Sequence, residues 1–175
     1  YGYQHAALTG YVPPGWDRWV AFVHSAQVDY GLTFDGQVHE YHGVQQHSTE
    51  VLADQVVSFI RDSSGPLFVE FTPSVPHAPA IPSPGDGSAF ADLEPSRPPS
   101  FDEADVSDKP AWVRDLPRLS PEQISAIDTF RQDQYRSLLG LDRAIGRILD
   151  ALEETGRLHD TLIVFTSDNG ILHGE

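Results

Sequence analysis

The stretch Thr161-Leu162-Ile163-Val164-Phe165-Thr166-Ser167-Asp168-Asn169-Gly170 is an apolar, β-branched run that stops abruptly at turn-forming polar residues. A short run of this kind reads as a strand buried on both faces. Pro66-Leu67-Phe68-Val69-Glu70-Phe71 reads the same way. Between them, Ser120-Pro121-Glu122-Gln123 announces a helix, with a serine N-cap, proline at the first helical position and glutamine placed to close a capping box. Its apolar stripe comprises Ile124, Ile127, Tyr135, Leu138, Leu139, Ile145, Ile148, Leu149 and Leu152. Gly140 is an expected bend, and Thr155-Gly156 an expected stop. Strand, long helical crossover, strand is the βαβ pattern, which predicts an α/β fold with both runs parallel in one sheet, though not necessarily adjacent.

Working outward, a shorter helix capped by Ser48 or Thr49 carries the stripe Val51, Leu52, Val56, Phe59 and Ile60 and ends before Ser63-Ser64-Gly65. The chain then divides into an irregular segment at 1–47 with short strands such as Gly31 to Phe34, a helix and strand at 48–72, a proline-rich loop at 73–119, and the long helix, strand and turn at 120–175. At 175 residues and 39% hydrophobic content, one domain is expected. A net charge of −15, from 26 acidic against 11 basic side chains, disfavours nucleic acid and anionic membrane partners. The absence of cysteine removes disulfides, thiolate metal sites and cysteine nucleophiles from this stretch. No run is long and apolar enough for membrane insertion. With no methionine, Tyr1 is not read as a translation start, and an internal piece of a longer protein is expected.

In open α/β sheets the ligand site lies beyond the carboxyl ends of the strands. That rule selects Thr72-Pro73-Ser74-Val75-Pro76-His77-Ala78-Pro79 after the first run and Ser167-Asp168-Asn169-Gly170 after the second. Asp168 and Asn169 offer hard oxygen donors suited to Ca²⁺ or Mg²⁺, while Asp-Asn-Gly alone could simply be a turn. His77, between Pro76 and Pro79, is either a rigidly held proton-transfer or hydrogen-bonding group or an exposed spectator. His39, His42 and His47, with Glu40, do not have the spacing of a zinc-protease helix and read as a solvated surface. Lys109, the one lysine, could meet an anionic substrate or pair with Asp105 or Asp108.

The Thr161–Gly170 stretch followed by Gly174-Glu175 resembles the strand and metal-binding turn of sulfatases, in the alkaline phosphatase superfamily. Pro76-His77-Ala78-Pro79 resembles that family's active-site histidine loop, and Leu141-Asp142 with Gly146 a segment of its long helix. Tyr11 to Trp19 and Phe101 to Pro110 look most like the branch that includes N-acetylglucosamine-6-sulfatases. The resemblance implies a partial alkaline-phosphatase-like sandwich, with a mostly parallel sheet flanked by helices. It also implies calcium-assisted hydrolysis of a sulfated sugar or other sulfated small molecule, with Ca²⁺ ahead of Mg²⁺, and an extracellular or periplasmic setting. Asp168 and Asn169 then become metal ligands, His77 a sulfate-binding or leaving-group acid, and Lys109 a substrate contact without a firm counterpart. The family's formylglycine comes from a Cys/Ser-x-Pro-x-Arg motif that is absent here. The nucleophile is therefore expected in the remainder of the sulfatase chain, and this stretch alone is expected to be inactive. Phosphodiester or phosphonate hydrolysis, or non-catalytic binding of anionic sugars, are the alternatives.

Overall fold

The computed structural model describes residues 10–175, so the first nine residues of the expected irregular segment lie outside it. That segment holds a sheet: β1 (Val20–His24), β2 (Tyr30–Phe34) and β3 (Gln37–Tyr41) pair antiparallel in the order β1-β2-β3. Asp35 and Gly36 join β2 to β3 with φ of 46° and 88°, between the paired residues Phe34 and Gln37. Two positive φ values in a two-residue loop match the twist of the flanking strands. The Asp35 carboxylate accepts from Trp19 N–H at 2.8 Å, and Asp35 N–H donates to the Trp19 carbonyl at 2.9 Å, which ties this turn to the start of β1. Central β2 buries Tyr30 and Leu32 completely. Burial, with Tyr41 adding to it, raises the Tyr30 phenol above its ordinary range, so it stays protonated and donates to the Gln46 carbonyl at 2.8 Å.

Two long helices carry the rest: α1 (Ser48–Asp62) and, after the short α2 (Ala111–Arg114), α3 (Pro121–Glu154). Ser120 and Gln123 form the expected capping box. Arg147 of α3 pairs with Glu50 and Asp54 of α1, while Glu154 pairs with Arg61. The partners run in the same order along both helices, so α1 and α3 lie parallel. Val57 and Ile60 of α1 meet Ala151 and Leu152 of α3 in the apolar core, flanked by Val56, Ile148, Leu67 and Leu158.

Three expectations are corrected. The only sheet among the described residues is antiparallel, and neither 66–71 nor 161–166 is a strand. Neither run has a hydrogen-bonded partner strand among the described residues, and both face a common cleft of about 860 Å³, lined by Leu67, Phe68, Leu162 and Val164. Phe68, Leu162 and Phe165 are 75%, 90% and 81% exposed, so the apolar pattern was legible while the pairing it requires is not met here. The cap of α1 is His47, not Ser48 or Thr49. His47 is also fully buried, whereas His39 and His42 are exposed, so the three histidines are not one solvated cluster.

The 73–119 segment has little regular structure, yet α3 holds it along its length. Arg97 and Arg143 make paired hydrogen bonds to Asp128 and Asp86. Arg131, Gln132 and Arg136 donate to the carbonyls of Glu94, Phe90 and Ala89. Asp102 joins the segment to the chain end: its N–H donates to the Gly174 carbonyl at 2.7 Å, and its carboxylate accepts from Leu119 N–H and pairs with Arg118.

α3 runs unbroken through Gly140, which serves a close approach: an added Cβ would lie 2.9 Å from Ser83 Cβ and closer still to Ser83 Oγ. Glycine-to-alanine inside a helix ordinarily stabilises by about 0.5–1 kcal/mol. Overpacking of ~1–3 kcal/mol outweighs that here. Gly140→Ala therefore lowers the midpoint of chemical denaturation, and Ser83→Gly in the same chain restores it. The second expectation concerns acid. Arg118, then Leu119 N–H, hold the Asp102 carboxyl below its ordinary range. Its stabilising contribution is thus complete above the unfolded value of about 3.9 and is lost as the pH falls through the lower folded value. Hydrogen exchange at Leu119 N–H, corrected for its intrinsic rate, keeps its protection from pH 7 to 5 and loses it only below the ordinary aspartate range; in Asp102→Asn that acid step is gone.

Candidate active site

His77 sits at the apex of two linked turns: its N–H donates to the Ser74 carbonyl at 2.9 Å, and its own carbonyl accepts from Ala80 N–H at 2.9 Å. Val75 and Ala80 are buried on either side while His77 is exposed, so the loop is anchored at its shoulders and presents the imidazole at its tip. The Val75-Pro76 and Ala78-Pro79 peptide bonds are cis. His77 Nδ1 lies 2.8 Å from the Ala78 carbonyl. A carbonyl only accepts, so Nδ1 carries the hydrogen and Nε2 is the atom left for chemistry.

Asp168 and Asn169 lie in the exposed stretch after the second apolar run, where Ser167 Oγ donates to the Asn169 carbonyl at 2.5 Å. Neither side chain has a hydrogen-bond or ion-pair partner among the described residues, so a carboxylate and an amide oxygen are free together. Their chemistry suits a hard cation, but the described residues hold no group of three or more His, Cys, Asp or Glu able to bind one. Lys109 is engaged by Asp108 at 3.0 Å and Glu103 at 3.3 Å. Its hydrogen bonds to Asp108 and then Glu103 raise its pKa and keep it charged. Asp105 instead accepts from Ser107 N–H.

No hydrogen bond or ion pair among the described residues joins His77 to Asp168, Asn169 or Lys109. Their loops nonetheless share a support. Gln134 of α3 donates to the Pro76 carbonyl at 3.1 Å, and the ring of Phe130, one turn earlier, lies 6.0 Å from that of His173. Residues four apart share a helix face about 6 Å apart along the axis, so the histidine loop and the segment following the Asp-Asn-Gly turn rest on consecutive turns. An aromatic cleft of about 520 Å³, with Trp16, Trp19, Phe59 and Phe68 among its walls, includes none of the candidate residues.

Sequence reasoning missed the groups that hold the histidine loop. Gln134 and Gln27 donate to the carbonyls of Pro76 and His77, and His47 Nε2 lies 3.0 Å from the Ile81 carbonyl. A glutamine on a helix stripe otherwise lined by apolar residues is the signal Gln134 offered; Gln27 and His47 offered none.

The chain is 30% identical to an arylsulfatase of Volvox carteri over 91% of its own length and 28% of that protein. It is 28% identical to an N-acetylglucosamine-6-sulfatase of Capra hircus, over all of this chain and 32% of that protein. The chain thus spans about a third or less of these relatives. Its fold resembles the solved structure of BT4656 in complex with its substrate D-glucosamine-2-N,6-O-disulfate, with a TM-score of 0.66 at 17% identity, over 84% of this chain and 42% of that one. Residues 9–175 match the family model described as Sulfatase, and the chain belongs to the sulfatase family.

Proposed function

We propose that this chain carries part of the active site of a sulfuric ester hydrolase acting on a sulfated sugar or related sulfated small molecule. Asp168 and Asn169 serve as calcium ligands and His77 as the sulfate-binding or leaving-group acid, with the formylglycine nucleophile supplied by a residue outside these 175. The observation that carries this reading is the shared face of α3, where Gln134 supports the His77 loop and Phe130 the segment after Asp168-Asn169-Gly170. Family membership supplies the reaction class. The glucosamine disulfate bound by BT4656 and the N-acetylglucosamine-6-sulfatase relatives support a sulfated sugar.

When bound, calcium supplies positive charge against sulfate oxygens. Asp168 contributes the carboxylate and Asn169 the amide oxygen, and further oxygens toward the usual ~6–8 come from elsewhere in the protein. With Nδ1–H committed to the Ala78 carbonyl, the exposed His77 Nε2, when it carries a proton, is the atom that donates to a sulfate oxygen or transfers that proton to the departing ester oxygen. Lys109 reaches an anion only by giving up Asp108 and Glu103.

In the full-length protein, His77→Ala keeps its melting temperature and loses about 10²–10⁴-fold in turnover of an aryl sulfate at neutral pH. Wild-type turnover removes His77 from the reaction. Asp168→Ala lowers both bound calcium, measured by calorimetry, and turnover; equal metal content and equal rate would overturn the ligand assignment.

A further inference from the structure

Gln27 lies between β1 and β2, far in sequence from every candidate residue, and is 1% exposed. Its backbone carbonyl accepts from Ser48 N–H at 2.9 Å, which fixes it to the first residue of α1. Its side-chain Nε2 donates to the His77 carbonyl at 3.1 Å and lies 3.5 Å from Ser74 Oγ. Its amide oxygen, also buried, has no hydrogen-bond partner among the described residues.

That asymmetry is informative. A buried amide with one end unsatisfied is a poor stabiliser, because the orphaned oxygen keeps its full desolvation cost. A hydrophobic side chain of the same shape would fill the space without that penalty. What such a side chain could not do is donate to His77. Other donors hold the neighbouring carbonyls: Gln134 that of Pro76 and His47 that of Ile81. Gln27 is the side chain that reaches the histidine's own peptide group. The imidazole is oriented in turn by Nδ1 against the next carbonyl, Ala78, in the 78–79 peptide, which joins the 77–78 peptide held by Gln27 at Ala78 Cα, so the setting of the 77–78 peptide and the aim of the ring are linked.

We propose that Gln27 is a positioning residue for His77: its amide N–H fixes the His77 peptide and, through it, the direction in which Nε2 faces the substrate. The inference rests on the role given to His77 above. Misplacing a reacting group by about 1 Å can cost on the order of 10²-fold in rate.

The test uses the full-length enzyme with 4-nitrophenyl sulfate. Gln27→Met, close in shape and without a donor, lowers kcat about 10–100-fold with little change in KM, and leaves the melting temperature equal or higher because the orphaned oxygen is gone. In a His77→Ala background the same substitution causes no further loss. Long-range proton–nitrogen NMR of the His77 ring shows the Nδ1–H tautomer in the parent and a mixture in Gln27→Met. If Gln27→Met fails to fold, Gln27→Asn, one methylene too short to reach, is read for the same three changes. Wild-type kcat in the Gln27 variant beside an impaired His77→Ala, losses that multiply in the double variant, or an unchanged tautomer would each overturn the positioning role. An unimpaired His77→Ala would instead overturn the reading of the site, and this inference with it.

Discussion

The parallel seating of α1 against α3 is the contact on which the other placements depend. The buried positions along α3 are mostly small, Ser137, Gly140, Ala144 and Ala151, joined by Leu152, and they recur at intervals of three, four and seven. Such a seam lets neighbouring backbone come close, and the ridge of Ala53, Val57 and Ile60 on α1 uses its C-terminal part. Near its middle Gly140 admits Ser83, from the loop that follows His77, with the Glu50 carboxylate of α1 3.7 Å from where a Cβ would stand. One helix face therefore sets both the core and the path of the histidine loop. Arg147, reaching Glu50 and Asp54 at once, fixes the longitudinal register of the two helices.

A loop from 73 to 119 with so little internal ladder must find partners for its backbone elsewhere. α3 supplies them from side chains that read in the sequence as an ordinary polar face. Arg136 and Arg131 donate to loop carbonyls, Arg97 of the loop returns the contact to Asp128, and the Arg97 guanidinium also lies 4.2 Å from the centre of the Phe101 ring. Individually such exposed pairs contribute little. Their value is positional, since together they leave the loop few alternative courses between His77 and the contact of Asp102 with Gly174.

The helices were legible because their signals are local. Ser120-Pro121 and Gln123 specify a start by chemistry within a few residues, and the start and end of α3 fall where those signals put them. The antiparallel sheet had local signals too, Asp35-Gly36 as a turn and Gly31 to Phe34 as a short strand, which falls within β2, but the Gly, His and aromatic residues around them gave no sustained period from which to read the pairing. The runs at 66–71 and 161–166 show the opposite limit. Composition identifies a segment that needs burial and backbone partners, yet those partners are non-local, and a strand exists only where a ladder is formed. At the site, residue type and position after an apolar run selected His77, Asp168 and Asn169. Of the donors behind His77, Gln134 offered only its place on an apolar stripe, and Gln27 and His47 were not legible, because a loop residue that binds a distant carbonyl has no sequence period.

His47 and His77 make the point within one residue type. Both were loop histidines in the sequence. His47 is fully buried with both nitrogens engaged: Nδ1 accepts from Thr49 N–H at 3.3 Å and Nε2 donates to the Ile81 carbonyl. Only the neutral ring with hydrogen on Nε2 satisfies both bonds, so its proton is spoken for and its work is to cap α1 and hold the loop. His77 has one nitrogen engaged and the other exposed. The inverse tautomers follow from which ring atom meets a carbonyl. A histidine that can exchange a proton with a ligand needs this second arrangement, one nitrogen anchored so that the ring is aimed and one free to react. Around His77 the carbonyls of Pro76, His77 and Ile81 are held from three separate elements, including the buried ring of His47 itself.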